Sequence, residues 1–127
     1  QKIDEINIFE ATKLAMYQAV EKLDVCPDHV LIDAVSLENL TCTTESIIKG
    51  DAKSVSIAAA SILAKVTRDR LMKRLHMEYP KYDFASNMGY GTAVHLQALN
   101  ELGPTRYHRL SYAPVRNALE STGRNYV

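Results

Sequence analysis

The sequence predicts an α/β domain, and three stretches carry that prediction. They are a helix-spaced segment from Ile8 to about Leu23, a short apolar run HVLID ending in an acid, and a long helical segment from Ser54 or Ser56 to about Glu78 that Pro80 stops. In the first, Ile8, Ala11, Ala15, Ala19 and Leu23 recur at helical spacing. Asn7 stands before them with Glu10 three residues on, the pattern of an N-cap with a capping box. After the turn at Cys26-Pro27-Asp28, Val30, Leu31 and Ile32 read as a buried strand with Asp33 at its carboxyl end.

A polar link, SLENLTCTTES, follows; Ile47 and Ile48 then suggest a second short strand broken by Gly50. Beyond the long helix lie a Gly- and aromatic-rich loop, YDFASNMGYG, a helix from about Thr92 to Leu102, a Gly-Pro turn and a last helix after Pro114. The AAAS stretch inside the long helix predicts close packing, because small residues let a helix lie near a sheet or another helix.

At 127 residues with 46% hydrophobic content, the chain fits one compact domain with an incomplete core. Fifteen basic and fifteen acidic side chains cancel, so any polyanion would have to be met by a local cluster of Lys and Arg. No apolar stretch is long enough to span a bilayer and no signal peptide opens the chain, so a cytoplasmic setting is expected. Cys26 and Cys42 are too few and too irregularly spaced for a zinc site or a disulfide framework.

Ligands of open α/β sheets bind beyond the carboxyl ends of the strands, where Asp33 and Asp51 both fall. Two carboxylates brought together there repel unless a cation lies between them, and magnesium favours carboxylate oxygen and water. By spacing alone, an Asp after a strand is more often a turn or helix-cap residue than a metal ligand. Lys49 and Lys53 flank Asp51 at the start of a helix, whose free backbone N–H groups would suit a phosphate. Ordinary solvated lysines read the same way.

The segments IIKGDAKSVSIAAASILAKVTRDRLM, YP, NMGYGTAVH and HRLSYAPV occur in order, preceded by IDEINIFEATKLAM and HVLIDAV. Together they closely resemble the carboxyl-terminal part of bacterial ribonuclease HII; the related ribonuclease HIII fits the KGD-to-GYGT register less well. The resemblance implies a ribonuclease H-like α/β fold, here partial, with two strands of the central mixed sheet and the flanking and carboxyl-terminal helices. It implies residues 1–127 as an incomplete single catalytic domain. The activity implied is hydrolysis of the RNA strand of RNA/DNA hybrids and incision of DNA at embedded ribonucleotides.

Site residues follow from the same motifs. The family holds Mg2+ or Mn2+ with four acids; the third matches Asp33 and the fourth, in the KGD turn, Asp51. Ala34 stands where the family often has glycine. Tyr90 of GYGT matches the tyrosine that packs on the sugar at the RNA-to-DNA junction, a place where the 2′-hydroxyl tells RNA from DNA. Lys49, Lys53 and Arg109 are expected to meet the nucleic-acid backbone, with Arg109 favoured over its neighbour His108 for that work. Asp69 is expected in a structural salt bridge, and His76 and His95 on helix surfaces.

The family's first two acids lie in a DEVGRG motif that this sequence lacks. It is therefore expected to carry half an active site, to be inactive or nearly so alone, and to expose a strand edge and an apolar face that favour homo-oligomers. A non-catalytic module gripping RNA/DNA junctions, or a purely structural fragment, are the readings from other classes.

Overall fold

The computed structural model describes residues 2–123. The elements run α1 (Lys2–Glu21), β1 (His29–Asp33), β2 (Thr43–Ile47), α2 (Gly50–Lys53), α3 (Val55–Glu78), a 3-10 turn at Pro80–Tyr82, α4 (Phe84–Asn87), α5 (Ala93–Leu102) and α6 (Ala113–Thr122). The strands form a two-stranded parallel sheet in which Asp33 is opposite Ile47. This α/β architecture is consistent with part of a ribonuclease H-like fold. Among the described residues no helix is long and apolar enough to cross a membrane. The chain divides into two compact units, one built on residues 6–65 and the other on residues 3–5 and 66–123.

In the first unit, α1 begins six residues earlier than its apolar spacing suggests and breaks at Asn7, whose φ of 68° is not helical. The Asn7 Oδ1 accepts the N–H groups of Phe9 (2.9 Å) and Glu10 (3.1 Å), so the expected N-cap is present as the start of a second helical segment. Tyr17 ties this helix to the link after β1. Its hydroxyl donates to the Glu38 carbonyl and accepts the Glu38 N–H at 2.9 Å.

Strand β1 matches HVLID, although only Ile32 is buried and the strand is half-covered rather than fully enclosed. Strand β2 differs from expectation: it is Thr43 to Ile47, drawn mostly from the polar link, and Ile48 lies outside it. Its side chains up to Ser46 are exposed, so backbone pairing and β-branched threonines specify it without an apolar signal. Ile32, Leu37 and Ile57 are the buried apolar residues of this unit. The AAAS stretch is not the packing seam expected of it, since Ala59, Ala60 and Ser61 are exposed and only Ala58 is half-buried.

In the second unit the YDFASNMGYG segment is more regular than a loop. The 3-10 turn and α4 place Tyr82 and Phe84 in a core with Met72, Leu75 and Ala98, while Leu99, Val115 and Ala118 join α5 to α6. The buried Tyr82 hydroxyl donates to the Gly103 carbonyl at 2.6 Å. Asp4 belongs to this unit and fixes the segment after His108: its carboxylate accepts the N–H groups of Leu110 (3.0 Å) and Ser111 (2.6 Å). Hydrogen bonds from Ser111, then Leu110, hold the Asp4 carboxyl near 2, below its ordinary 3.8.

Ala34 has a φ of 56°, in the left-handed region where a Cβ is disfavoured. Ala34→Gly should therefore raise stability by about 1 kcal/mol in chemical denaturation, the relief of strain exceeding the entropy that glycine loses; a lower or unchanged midpoint would count against this. As pH falls, the unfolded chain protonates Asp4 before the folded one does, so its contribution is complete above about pH 4 and lost towards pH 2. Asp4→Asn should thus melt below the parent at pH 7, with the gap narrowing as pH drops through that window; a constant gap would refute the assignment.

Candidate active site

The strand end and the KGD turn form one local arrangement. Parallel pairing puts Asp33 opposite Ile47, and the chain turns back at Lys49, which adopts left-handed φ and ψ of 55° and 47°. The Gly50 N–H then donates to Asp33 Oδ1 at 2.8 Å. Gly50 is buried, and a Cβ there would lie 2.6 Å from Ile57 Cδ1 and 3.4 Å from Asp33 Cα. Glycine is what lets the turn come so close to the strand.

Asp51 follows directly and is exposed, its Oδ1 accepting the Ala52 N–H at 2.9 Å. Each carboxylate thus has one oxygen committed to backbone, and among the described residues Oδ2 of each has no protein hydrogen-bond partner. Open carboxylate oxygens are the donors a hard divalent cation takes, so these two residues fit as part of a ligand set. They are not a whole one: among the described residues no group of three or more His, Cys, Asp or Glu could hold a metal.

Lys49 and Lys53 bracket this turn, both exposed. The N–H groups expected to await a phosphate are largely occupied. Gly50 donates to Asp33, Ala52 to Asp51, and Ile57 to Ser54 Oγ at 3.4 Å as the cap of α3. Phosphate contact in this segment would fall to the lysine side chains.

Tyr90 is 70% exposed on a backbone that is itself fixed. Buried Asn87 donates to the Tyr82 carbonyl (2.7 Å) and accepts the Gly89 N–H (2.9 Å), while the Tyr90 N–H donates to the Asn87 carbonyl at 2.8 Å. The Arg68 guanidinium lies 5.8 Å from the Tyr90 ring centre and donates to the Met88 carbonyl at 2.9 Å. Thr92 Oγ1 accepts the His95 N–H at 3.3 Å and caps α5. The aromatic face is offered to solvent from a rigid support.

Arg109 is half-buried and donates from Nε to Ser111 Oγ at 2.7 Å. With Arg68, Gly89, Gly91 and His108 it lines a cavity of about 310 Å3. Asp69 is half-buried on α3.

The histidines correct the sequence reading. His95, expected on a helix surface, is 7% exposed and bonds both the Tyr90 carbonyl and His108. His76 is half-covered, and its Nδ1 is buried without a hydrogen-bond partner. Burial, then the neighbouring His95, push the His108 imidazole down to about 4, which suits a structural group rather than an acid–base catalyst at neutral pH. Spacing could have flagged His95, which lies one helical turn before the buried Ala98 and Leu99.

The ribonuclease HII family model matches residues 1–115. Ribonuclease HII of Oceanobacillus iheyensis is 61% identical over 120 residues, which cover 94% of this chain and 46% of that relative. The chain spans about half the length of the curated relative it matches. A family model fitting this much of the sequence, together with a KGD turn folded onto the acid at the end of β1, places the chain in the ribonuclease HII family.

Proposed function

We propose that residues 1–127 are the carboxyl-terminal part of a ribonuclease HII catalytic domain, acting in the cytoplasm. Its reaction is hydrolysis of the RNA strand of RNA/DNA hybrids and incision of DNA at embedded ribonucleotides, leaving 5′-phosphate and 3′-hydroxyl ends. The observation that carries the reading is the Asp33 carboxylate held on the Gly50 N–H, one residue from Asp51, with an open oxygen on each acid.

Asp33 and Asp51 are the proposed catalytic, metal-holding acids. Mg2+ or Mn2+ bound there, in the two-metal scheme, would supply an activated water and stabilise the departing 3′ oxygen. The protein's own part is positional. The Gly50 N–H fixes Asp33 without using its second oxygen, and the close-packed turn limits how far Asp51 can stray. Lys49 and Lys53 are the proposed contacts to the phosphate backbone. Exposed Tyr90 offers a ring face to the sugar at the RNA-to-DNA junction, and Arg109, oriented by Ser111, offers a guanidinium to phosphate. With two acids of four, the isolated chain is proposed to be inactive or nearly so.

A second proposal concerns assembly. Copies of this chain are proposed to associate through the exposed sheet, whose strand β1 is only partly covered, and Val55, Ile62 and Leu63 on α3, 88%, 62% and 70% exposed, add apolar surface. Sedimentation velocity should show mass rising with concentration; a monomer at every concentration would remove this proposal.

Cleavage of a DNA duplex carrying one ribonucleotide, with Mg2+ or Mn2+, tests the main reading. The chain alone should not cut, whereas its mixture with a separately made polypeptide carrying the DEVGRG motif should. Asp33→Asn keeps an oxygen for the Gly50 N–H but loses the charge, so together with Asp51→Asn it separates ligation from folding. Either change should reduce cutting by more than ~100-fold, beyond the usual effect of losing an outer-sphere partner. Cutting by the chain alone, or undiminished cutting by both variants in the mixture, would mean that these acids are wrongly assigned.

A further inference from the structure

His95 and His108 face each other nitrogen to nitrogen, with their Nε2 atoms 3.0 Å apart. Two further contacts determine which nitrogen carries each proton. The Thr105 backbone N–H reaches His108 Nδ1 at 2.9 Å, and since that group can only donate, Nδ1 must be the bare acceptor. A neutral His108 then carries its proton on Nε2 and donates it to His95 Nε2. That leaves His95 protonated on Nδ1, which lies 2.8 Å from the Tyr90 carbonyl, a group that can only accept. Each contact requires the tautomer that the next one needs.

The chain of hydrogen bonds ends on a carbonyl whose second lone pair takes the Thr92 N–H at 2.9 Å. Both directions from which the Tyr90 peptide oxygen can be held are therefore in use. The rings are packed as well as bonded: Tyr82 and Phe84 lie within 5.3–6.3 Å of the two imidazoles, centre to centre. The charged or titratable neighbours lining the same cavity are Arg68, Arg109, Tyr107 and Tyr112, with no carboxylate among the lining residues. Tyr82 beside the rings is neutral at physiological pH, its own titration pushed up by burial. No acid in the cavity lining would stabilise an imidazolium, and at His108 burial and the neighbouring His95 outweigh the backbone contact with Thr105 that favours the charged form.

We propose that His95 and His108 form a neutral, tautomer-locked pair that acts as a positioning device for Tyr90, holding its peptide so that the exposed ring is presented in one orientation. The functional half of this rests on the reading of Tyr90 as the residue that meets the sugar at the junction. Neither histidine touches substrate in this account; both act through the Tyr90 backbone. A proton added to either ring would set two N–H groups against each other, at the Nε2–Nε2 contact or at Thr105, and the pair would open.

Imidazole 15N chemical shifts of the full chain at pH 7 read the tautomers directly. His95 should show a protonated Nδ1 and a bare Nε2, and His108 the reverse. His95 protonated on Nε2, or either ring cationic at this pH, would overturn the proposal. Two variants separate holding from packing. His95→Asn keeps a donor near the Nδ1 position but loses ring volume, whereas His95→Phe keeps the volume and loses the donor. The Tyr90 carbonyl 13C shift and the Thr92 amide exchange rate should stay near the parent in His95→Asn, while exchange should quicken about three- to tenfold in His95→Phe, as the loss of one neutral hydrogen bond allows. The opposite order would show a packing role only.

Affinity for a duplex with one ribonucleotide, relative to all-DNA duplex, addresses the functional half. A preference removed by Tyr90→Ala but untouched by His95→Phe would defeat the positioning role. A preference untouched by Tyr90→Ala would defeat the reading of Tyr90 while the tautomer assignment is judged on its own shifts.

Discussion

The hydrogen bond from the Gly50 N–H to Asp33 is the contact on which the rest of the candidate site depends. It links the carboxyl end of β1 to the turn that leaves β2, two segments brought side by side by the parallel register. Here each acid accepts one backbone N–H and keeps one oxygen open, so the turn orients both carboxylates without consuming their binding capacity. A side chain at position 50 would meet Ile57, so the same glycine allows the approach and leaves room for the buried Ile57 side chain of α3.

The unit built on residues 66–123 solves a different problem, the fixing of an exposed aromatic. An exposed ring gains little from burial, so its orientation has to come from the backbone beneath it. Asn87 spans the turn before Tyr90, and Thr92 and His95 hold the carbonyl after it. These supports are themselves anchored in the core around Tyr82 and Phe84. Asp4 does the corresponding work for the segment carrying Arg109, through a carboxylate that takes two successive backbone N–H groups. Each candidate contact residue therefore stands on a hydrogen-bonded support rather than on a free loop.

Much of this could be read from the sequence where a local signal was sufficient. Asn7 capped a helix because an Asx side chain reaches the next turn's N–H groups, and Ser54, Thr92 and Pro80 bounded helices through chemistry confined to a few residues. β2 was less legible because its exposed Thr and Ser side chains leave no apolar alternation to detect. α4 was hidden in a segment rich in turn residues, and what makes it helical is the burial of Phe84 and Asn87 rather than propensity. Asp33 and Asp51 were visible through a motif, whereas the bond joining them to one turn is a property of register. His95 reads as a solvated helix residue because a polar side chain shows no burial signal until its partner His108, 13 residues on, is in place.

The same distinction explains α3, whose small-residue stretch is not buried. Val55, Ala59 and Ile62 recur at intervals of four and three, the spacing of a helix face meant to be covered, yet all three are exposed. Ile57, Met72 and Leu75 are the α3 residues that reach below a tenth of their full exposure. The helix therefore carries two apolar requirements, and the described residues meet only one of them. Small residues within an unmet stripe have no packing value until a second layer approaches closely, and then their value is large, because backbones separated only by alanine and serine side chains can come into dense contact. The AAAS stretch thus lies on a surface that the described residues leave open.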